Sequence, residues 1–257
     1  MKLTLTLAFL FTAALYASVG FGGGSTYTAL LAVTGVSYTL IPLISLSCNI
    51  CVVSGNSLRY ARAGLIKLSQ IWPLLILSVP AAFIGGRLSV PEVLFIGLLS
   101  LALFIAGLRM VFGKAGEIEA RETKPASKMS AAIIGGGIGL YSGIVGIGGG
   151  IFLAPVLYKL RWARAQEIAA MCSLFILVNS GAGLAGQIIK SSEDNITAQI
   201  IPYWPLILAV IIGGQFGNRF SLKFLSAENL RRLTGALILI VALRLLWKWA
   251  GLMGWLS

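Results

Sequence analysis

The chain has 257 residues, 58% of them apolar and 11% charged, and a formal net charge of +12. This composition excludes an ordinary soluble domain, and the solid apolar runs lack the alternating pattern of an outer-membrane barrel. The basic residues stand at the ends of apolar stretches, so they are topology signals and do not indicate a nucleic-acid partner. We predict an all-α polytopic membrane protein in the lipid bilayer of the cytoplasmic (inner) cell membrane.

Ten apolar segments follow one another along the chain. We predict helices at 3–19, 24–36, 39–60, 70–88, 91–112, 129–145, 150–160, 165–188, 201–220 and 228–250. The first segment has the basic start and apolar core of a secretory signal. Its counterpart, SAAIIGGGIGLYSGIVG at 130–146, lies in mid-chain where no signal peptide can stand, so we expect the first segment to be retained.

A run of three glycines precedes the second segment of each half, in GFGGGSTYTALLA from residue 20 and in GIGGGIFLAPVLY from residue 146. Each second segment has about a dozen residues and would reach about 18 Å. The hydrocarbon core of a bilayer is roughly 30 Å thick. We therefore expect short broken or re-entrant helices at these glycine turns.

The two halves share further residues at fixed intervals. Ser47 and Ser54 return 126 positions later as Ser173 and Ser180, and a WPL motif recurs after an insertion near KSSEDN. This pattern indicates a tandem duplication. The predicted parts are a first transmembrane repeat at 1–112, a polar cytoplasmic linker at 113–128 and a second transmembrane repeat at 129–257.

Charge placement indicates how the repeats are oriented. The interval after the second segment, GVSYTL at 35–40, has no charge in the first half, whereas its counterpart in the second half is basic. The interval after the third segment shows the opposite bias: it is basic in the first half, and its counterpart KSSEDN in the second half is net negative. Equivalent loops then face opposite sides under the positive-inside rule, which predicts two inverted repeats of about five helical segments each. A parallel repeat is the alternative. With both termini outside, the basic residues that fall on the outer side are Lys2, Arg87, Lys190, Arg244 and Lys248.

The glycine turns are candidates for an anion site. The first amides of a helix have no internal partner and carry partial positive charge, and glycine lets a ligand reach them. Discontinuous helices in transporters aim such ends at anionic groups near the midplane, and inversion would bring the two turns together. The alternative is close helix packing. The predicted substrate-binding residues here are Gly22, Gly23, Gly24, Ser25, Thr26, Gly148, Gly149 and Gly150.

The third segment of each half carries polar residues inside an apolar run. Their hydroxyl and amide groups would offer hydrogen bonds to an oxyanion, or they would join helices to one another. The residues predicted for the site are Ser47, Asn49, Ser54, Asn56, Ser173, Asn179 and Ser180. The chain has no histidine, and its three cysteines fall within predicted helices, so we expect no metal site or other cofactor and interpret the cysteines as apolar filler.

All eight acidic residues fall at segment ends or in loops. No carboxylate stands at mid-membrane to bind a cation or carry protons, which favours an anion facilitator, or a carrier whose coupling ion, a proton or sodium, uses backbone and hydroxyl oxygens. Arg87 and Arg219 end the fourth segments. We interpret them as snorkelling residues, with a part in guiding anions as the alternative.

The repeated GFGGGS and GIGGGIFLAPVL turns, the duplicated polar third segments and the chain length resemble the TauE/SafE sulfite exporter family, also called the 4-toluene sulfonate uptake permeases. The resemblance covers nearly the whole chain. It implies a permease for a small sulfur-containing or organic anion such as sulfite, sulfoacetate or a sulfonate, commonly an exporter, with the glycine turns at 22–24 and 148–150.

Two other classes fit the sequence less well. An intramembrane enzyme would need a histidine, paired carboxylates or a nucleophile beside a base within a segment, and none is present. A non-transporting scaffold or assembly subunit would not need polar third segments in both halves. The sequence leaves open the anion, the direction of transport, the coupling ion and the oligomeric state.

Overall fold

The computed structural model describes residues 2–18, 20–112, 127–191, 199–219 and 227–255. Ten α-helices have both ends within these ranges, close to the ten predicted segments, and no strand occurs there. The helices are α1 (Lys2–Ser18), α2 (Gly24–Val33), α3 (Leu40–Arg62), α4 (Leu68–Arg87), α5 (Glu92–Phe112), α6 (Lys128–Val145), α7 (Gly150–Lys159), α8 (Ala165–Lys190), α9 (Trp204–Arg219) and α10 (Ala227–Leu252). The predicted all-α fold is confirmed.

Length and composition identify the helices that can cross a bilayer. Five of the described helices, α3, α4, α5, α6 and α8, are long and apolar enough to do so. Their outward side chains are apolar: Ile76, Leu101 and Ile133 are each at least half exposed. A surface of this kind is stable against lipid and unfavourable in water. The structure therefore confirms a polytopic membrane protein.

The predicted short helices are α2 and α7, with ten residues each. At 1.5 Å per residue each reaches about 15 Å, half of the hydrocarbon core. Both begin directly after a glycine in the left-handed region, Gly23 with φ 82° and Gly149 with φ 81°. An L side chain is disfavoured in that conformation, so glycine fits the sharp reversal that starts each short helix.

Local sequence explains other helix ends. Ser127 caps α6, because its Oγ accepts a hydrogen bond from the backbone amide of Ser130 at 3.2 Å. Glu167 serves the start of α8, where its Oε2 accepts from the amide of Arg164 at 3.2 Å. The predicted linker lies outside the described residues apart from Ser127 and Lys128, and so does most of the KSSEDN insertion.

Helices of one half pack against helices of the other in matched pairs. Helix α1 packs along α9, and α4 packs along α6. Gly85 of α4 lies against the Leu140 carbonyl, and Gly217 of α9 lies against the Ala14 carbonyl. Gly85 and Gly217 are 132 residues apart, and Ala14 and Leu140 are 126 residues apart. These are the spacings at which matching motifs recur in the two halves, so each pair occupies equivalent positions. Reciprocal contacts of this kind are what a pseudo-two-fold axis between the halves produces.

The directions of equivalent helices bear on the predicted inversion. In the α5–α10 pair, Gly97 lies against Trp249 and Gly107 against Leu239, so the two helices run antiparallel. Helices α3 and α8 also run antiparallel, since Ser57 Oγ lies 3.1 Å from Ser173 Oγ while Leu46 lies against Gly183 further along α8. Antiparallel equivalents are expected for an axis in the membrane plane and not for a parallel repeat. The inversion itself stays a prediction that this packing supports.

Within the described parts of the chain, two ion pairs link the halves near helix ends. Lys67, just before α4, lies 2.6 Å from Glu167 of α8. Lys248 of α10 lies 3.1 Å from Glu92 of α5. Lys248 is one of the basic residues that the predicted topology places on the outer side, and its pairing with Glu92 neutralises that charge locally.

Candidate functional site

The two glycine turns lie against each other in the interior of the protein. Asn49 of α3 reaches across from the first half, and its Nδ2 donates a hydrogen bond to the backbone oxygen of Ile147 at 3.1 Å. Gly24 lies in direct contact with both Asn49 and Ile147. The start of α2, the middle of α3 and the turn before α7 therefore meet at one point.

A second asparagine of α3 holds the other turn. Asn56 Nδ2 donates to the backbone oxygen of Phe21 at 3.3 Å. Asn49 and Asn56 are seven residues apart and so lie on one face of the helix. Phe21 and Ile147 are equivalent positions of the two repeats, 126 residues apart. One face of α3 thus fixes the residue that precedes the glycines in both halves.

The glycines themselves have structural reasons to be glycine. Gly23, Gly148 and Gly149 have φ near +80°. At Gly22 a Cβ atom would lie 2.5 Å from Asn49 Oδ1, and at Gly24 it would collide with Asn49 and the Ile147 carbonyl. Their presence alone therefore does not indicate a ligand, and only the polar groups around them can indicate a binding site.

Unpaired backbone amides surround the meeting point. The structure shows no hydrogen bond from the amides of Gly22, Gly23, Gly24 and Ser25, nor from those of Gly148, Gly149, Gly150 and Ile151. These are the first amides of α2 and α7, where the helix dipole adds partial positive charge. The described buried polar side chains are all uncharged. The site offers neutral donors to a ligand, together with the unpaired acceptor oxygen of Asn49 beside Gly22.

Serine and threonine hydroxyls at the first turn are paired, whereas the Oδ1 atoms of Asn49 and Asn56 are buried without a partner. Tyr16 and Thr26 share a hydrogen bond of 3.0 Å between their hydroxyls. The Gly24 carbonyl accepts from Thr28 Oγ1 at 2.9 Å and from Ser45 Oγ at 3.3 Å. The Tyr27 hydroxyl is buried without a partner, but its ring stacks on Phe9 with 4.7 Å between centroids and fills the space behind Gly23.

Two serine hydroxyls at the second turn have no partner. Ser180 Oγ lies 2.9 Å from the point where a Cβ of Gly148 would stand, and Ser142 lies beside Gly149. Both side chains are fully buried, and neither hydroxyl makes a hydrogen bond. Ser180 belongs to the predicted set, whereas Ser142 was missed because its repeat equivalent is Tyr16 and nothing in the sequence marks it as unpaired.

The other predicted residues of the third segments lie in different surroundings. Ser47 Oγ and Ser54 Oγ donate to carbonyls of their own helix, Leu43 and Ile50, at 2.8 and 2.6 Å. Ser173 joins α8 to Ser57 of α3, the interhelical bond that was weighed as an alternative. Asn179 Nδ2 donates to Phe175 O at 2.8 Å. Substrate binding by these four residues stays a prediction.

A cavity of about 240 Å³ adjoins the second turn. It lies between α5, α6 and α7, and Ile138, whose Cγ2 would be 2.9 Å from a Cβ of Gly149, forms part of its wall. Arg109 is exposed and is the charged member of the lining. The lining residues are Ile105, Ala106, Arg109, Ile134, Ile138, Ile151, Phe152, Pro155 and Val156. In the first half, by contrast, α2 packs on α10.

Apolar spanning helices, a duplicated packing scheme and two half-length helices meeting in the interior define a multi-pass α-helical membrane protein built in the manner of a transporter. The chain belongs to the family described as Sulfite exporter TauE/SafE, which it matches over residues 5–245. It is accordingly a membrane transporter and not an enzyme.

Curated relatives agree with this assignment. The chain is 33% identical over 245 residues to the probable membrane transporter protein y4hK of Sinorhizobium fredii, which covers 95% of this chain and 97% of that protein. It is 26% identical to a probable membrane transporter protein of Xylella fastidiosa, covering 90% of each chain. It is 24% identical to the probable membrane transporter protein MamO of Paramagnetospirillum magneticum, covering 81% of this chain and 38% of that one. No solved structure matches the chain.

Proposed function

We propose that the protein is a permease of the cytoplasmic membrane that exports a small sulfur-containing or organic anion, of the sulfite, sulfoacetate or sulfonate type. The observation that carries this proposal is the contact between the starts of two half-length helices inside the protein, where the first amides are unpaired and Asn49 is bonded across the junction. Helix amino ends in this position attract anions. Family membership supports the same substrate class.

The surroundings favour an anion over a cation. Described buried polar side chains are serine, threonine, asparagine and glutamine, and the described carboxylates Glu92 and Glu167 stand in the first turns of their helices. A dehydrated cation would need carboxylate or carbonyl ligands, whereas neutral hydroxyl and amide donors suit an anion. A coupling ion, a proton or sodium, would therefore use hydroxyl and carbonyl oxygens.

Transport would follow from inverted repeats. The antiparallel α3–α8 and α5–α10 pairs and the matched α1–α9 and α4–α6 pairs support two structurally similar halves of opposite orientation. Such halves can exchange their conformations by rocking against each other, which opens a central site alternately to each side. The anion would bind at the glycine turns, the centre of this arrangement.

The test is flux measured in proteoliposomes that contain the purified full-length protein. Uptake and efflux of sulfite, thiosulfate, sulfoacetate and chloride are compared with and without an imposed pH gradient, sodium gradient and membrane potential. We expect saturable flux of a sulfur oxyanion or sulfonate above protein-free liposomes, and the effective gradient identifies the coupling ion. Absence of flux for every anion under all gradients would contradict the proposal.

A further inference from the structure

Within the proposed function, we infer that the anion binds at the second glycine turn, where the Ser142 and Ser180 hydroxyls and the first amides of α7 donate to it, while the first turn serves as a support. The two turns have the same sequence pattern, and Gly23 and Gly149 are both left-handed, but Gly148 is also left-handed whereas its equivalent Gly22 is not. They differ in the polar groups that surround them, and this difference locates the ligand.

The second turn combines two independent features. One is the start of the ten-residue helix α7, with unpaired amides from Gly148 to Ile151. The other is the pair of fully buried, unpaired hydroxyls of Ser142 and Ser180. A buried hydroxyl without a partner is unfavourable in an empty protein. The presence of two unpaired hydroxyls beside the start of one helix is explained if both donate hydrogen bonds to a bound anion.

Access distinguishes the two turns as well. The 240 Å³ cavity reaches Ile151 and Phe152 of α7, and Ile138 both lines the cavity and lies against Gly149. A water molecule occupies about 30 Å³ in the liquid, so the cavity has room for a small oxyanion. At the first turn the Tyr27 ring, which stacks on Phe9, occupies the space behind Gly23. An anion drawn in by Arg109 would reach the second turn by a movement of the Ile138 side chain.

The donor set also specifies the charge of the ligand. Hydroxyls and backbone amides supply hydrogen bonds and partial charges, and no described cationic side chain is buried to balance a second negative charge. A desolvated dianion would be far more costly here than a monoanion. The site therefore suits a singly charged headgroup with three acceptor oxygens, such as sulfonate or hydrogensulfite, in preference to sulfate.

The test uses sulfite flux in proteoliposomes, with methanesulfonate and sulfate as competitors of similar size and different charge. Ser142→Ala and Ser180→Ala should each raise the half-saturation concentration at least tenfold. Tyr27→Phe is the matched control, because it also removes an unpaired buried hydroxyl beside a glycine turn; its half-saturation should stay within twofold. Methanesulfonate should inhibit the unmodified protein at least tenfold better than sulfate.

Stability separates a binding role from a structural one. Since neither serine hydroxyl makes a hydrogen bond, both alanine variants should unfold in detergent at the same or a higher temperature than the unmodified protein. Should alanine impair folding, Ser142→Cys and Ser180→Cys keep the side-chain shape with a somewhat larger atom and replace the hydroxyl by a weaker donor. Unchanged half-saturation in the serine variants, a tenfold effect of Tyr27→Phe, or stronger inhibition by sulfate would each overturn the inference. Absence of any flux in the unmodified protein would instead refute the proposed function, and the inference with it.

Discussion

The two halves of the protein share a fold and differ at their glycine turns. In the first half the turn is braced by paired hydroxyls and by the Phe9–Tyr27 stack. In the second half it is bordered by two unpaired serines and a cavity. The predicted duplication would account for the left-handed glycine that precedes each short helix, but it does not account for this contrast. In our proposal the first half supports the turns and the second half binds the anion.

The strongest way to break this arrangement is to remove the hydrogen bond from Asn49 to the Ile147 carbonyl, which joins the two halves at the glycine turns. Asn49→Leu preserves size but leaves the Ile147 carbonyl buried without its donor, which costs about 1–3 kcal/mol of unfolding free energy. Because the second turn loses its position, we expect flux to fall to the level of protein-free liposomes. The measurements are anion flux in proteoliposomes and the unfolding temperature in detergent.

Asn56→Leu is the matched control for this variant. Its bond to the Phe21 carbonyl stays within the first half and holds only the supporting turn. We expect a similar loss of stability with reduced but measurable flux. If Asn56→Leu abolished flux and Asn49→Leu preserved it, the assignment of roles to the two halves would be reversed.

A smaller effect is expected from adding one methyl group at each turn. Gly23→Ala and Gly149→Ala both force an L side chain into the left-handed region, which costs about 1–2 kcal/mol in either half. A Cβ at 149 would also lie 2.9 Å from Ile138 and 3.0 Å from Phe175, whereas at 23 it would lie 3.1 Å from Thr12 and Tyr27. The two variants should be similarly unstable in thermal unfolding. Only Gly149→Ala should strongly raise the half-saturation concentration, and equal flux in both would count against a site at the second turn.

Charge at the cavity should have a still smaller effect, and it should depend on salt. Arg109→Gln removes the charged residue of the cavity lining, so we expect a rise in half-saturation of roughly three- to tenfold at low ionic strength that fades as salt is added. Arg244, its equivalent in the second half 135 positions on, does not line this cavity and provides the control. Flux assays over a range of salt concentrations distinguish the Arg109→Gln variant from the Arg244→Gln variant. A salt-independent effect, or an equal effect of Arg244→Gln, would exclude a guiding role for Arg109.

Much of the scaffold could be predicted from the sequence. Apolar runs and polar breaks are local signals, so the ten helices fall close to their predicted bounds. The short helices α2 and α7 were predictable because their length is set by the glycine run before them and the polar interval after them. Matched intervals between the halves then led to the expectation that the two turns lie together, and the structure places them in contact.

The details of the site depend on packing that repeats do not reveal. Asn49 bonds across the halves, but its repeat equivalent is Phe175, so symmetry gives no hint of the bond. Ser142 lies in the first helical segment of the second half, where no pattern of polar residues marks it. Ser47 and Ser54 show the opposite case. Both have serine counterparts in the second half, which made them candidates for the site, but their hydroxyls donate hydrogen bonds to carbonyls of their own helix. Which face of a helix meets a turn is decided by tertiary contacts.

The smallest predicted effects concern the ion pairs that join the halves. Lys67 is about half exposed and Glu167 only 13% exposed, whereas both partners of the Glu92–Lys248 pair are exposed by 44% or more. Surface pairs contribute about 0–1 kcal/mol, and screening is weaker for the more buried one. Lys67→Ala should therefore lower the unfolding temperature slightly more than Lys248→Ala, and added salt should reduce the second effect first. Because neither pair touches the glycine turns, both variants should keep their half-saturation concentration. A change in half-saturation for either would mean that these contacts at the helix ends, and not the turns alone, control the movement of one half against the other.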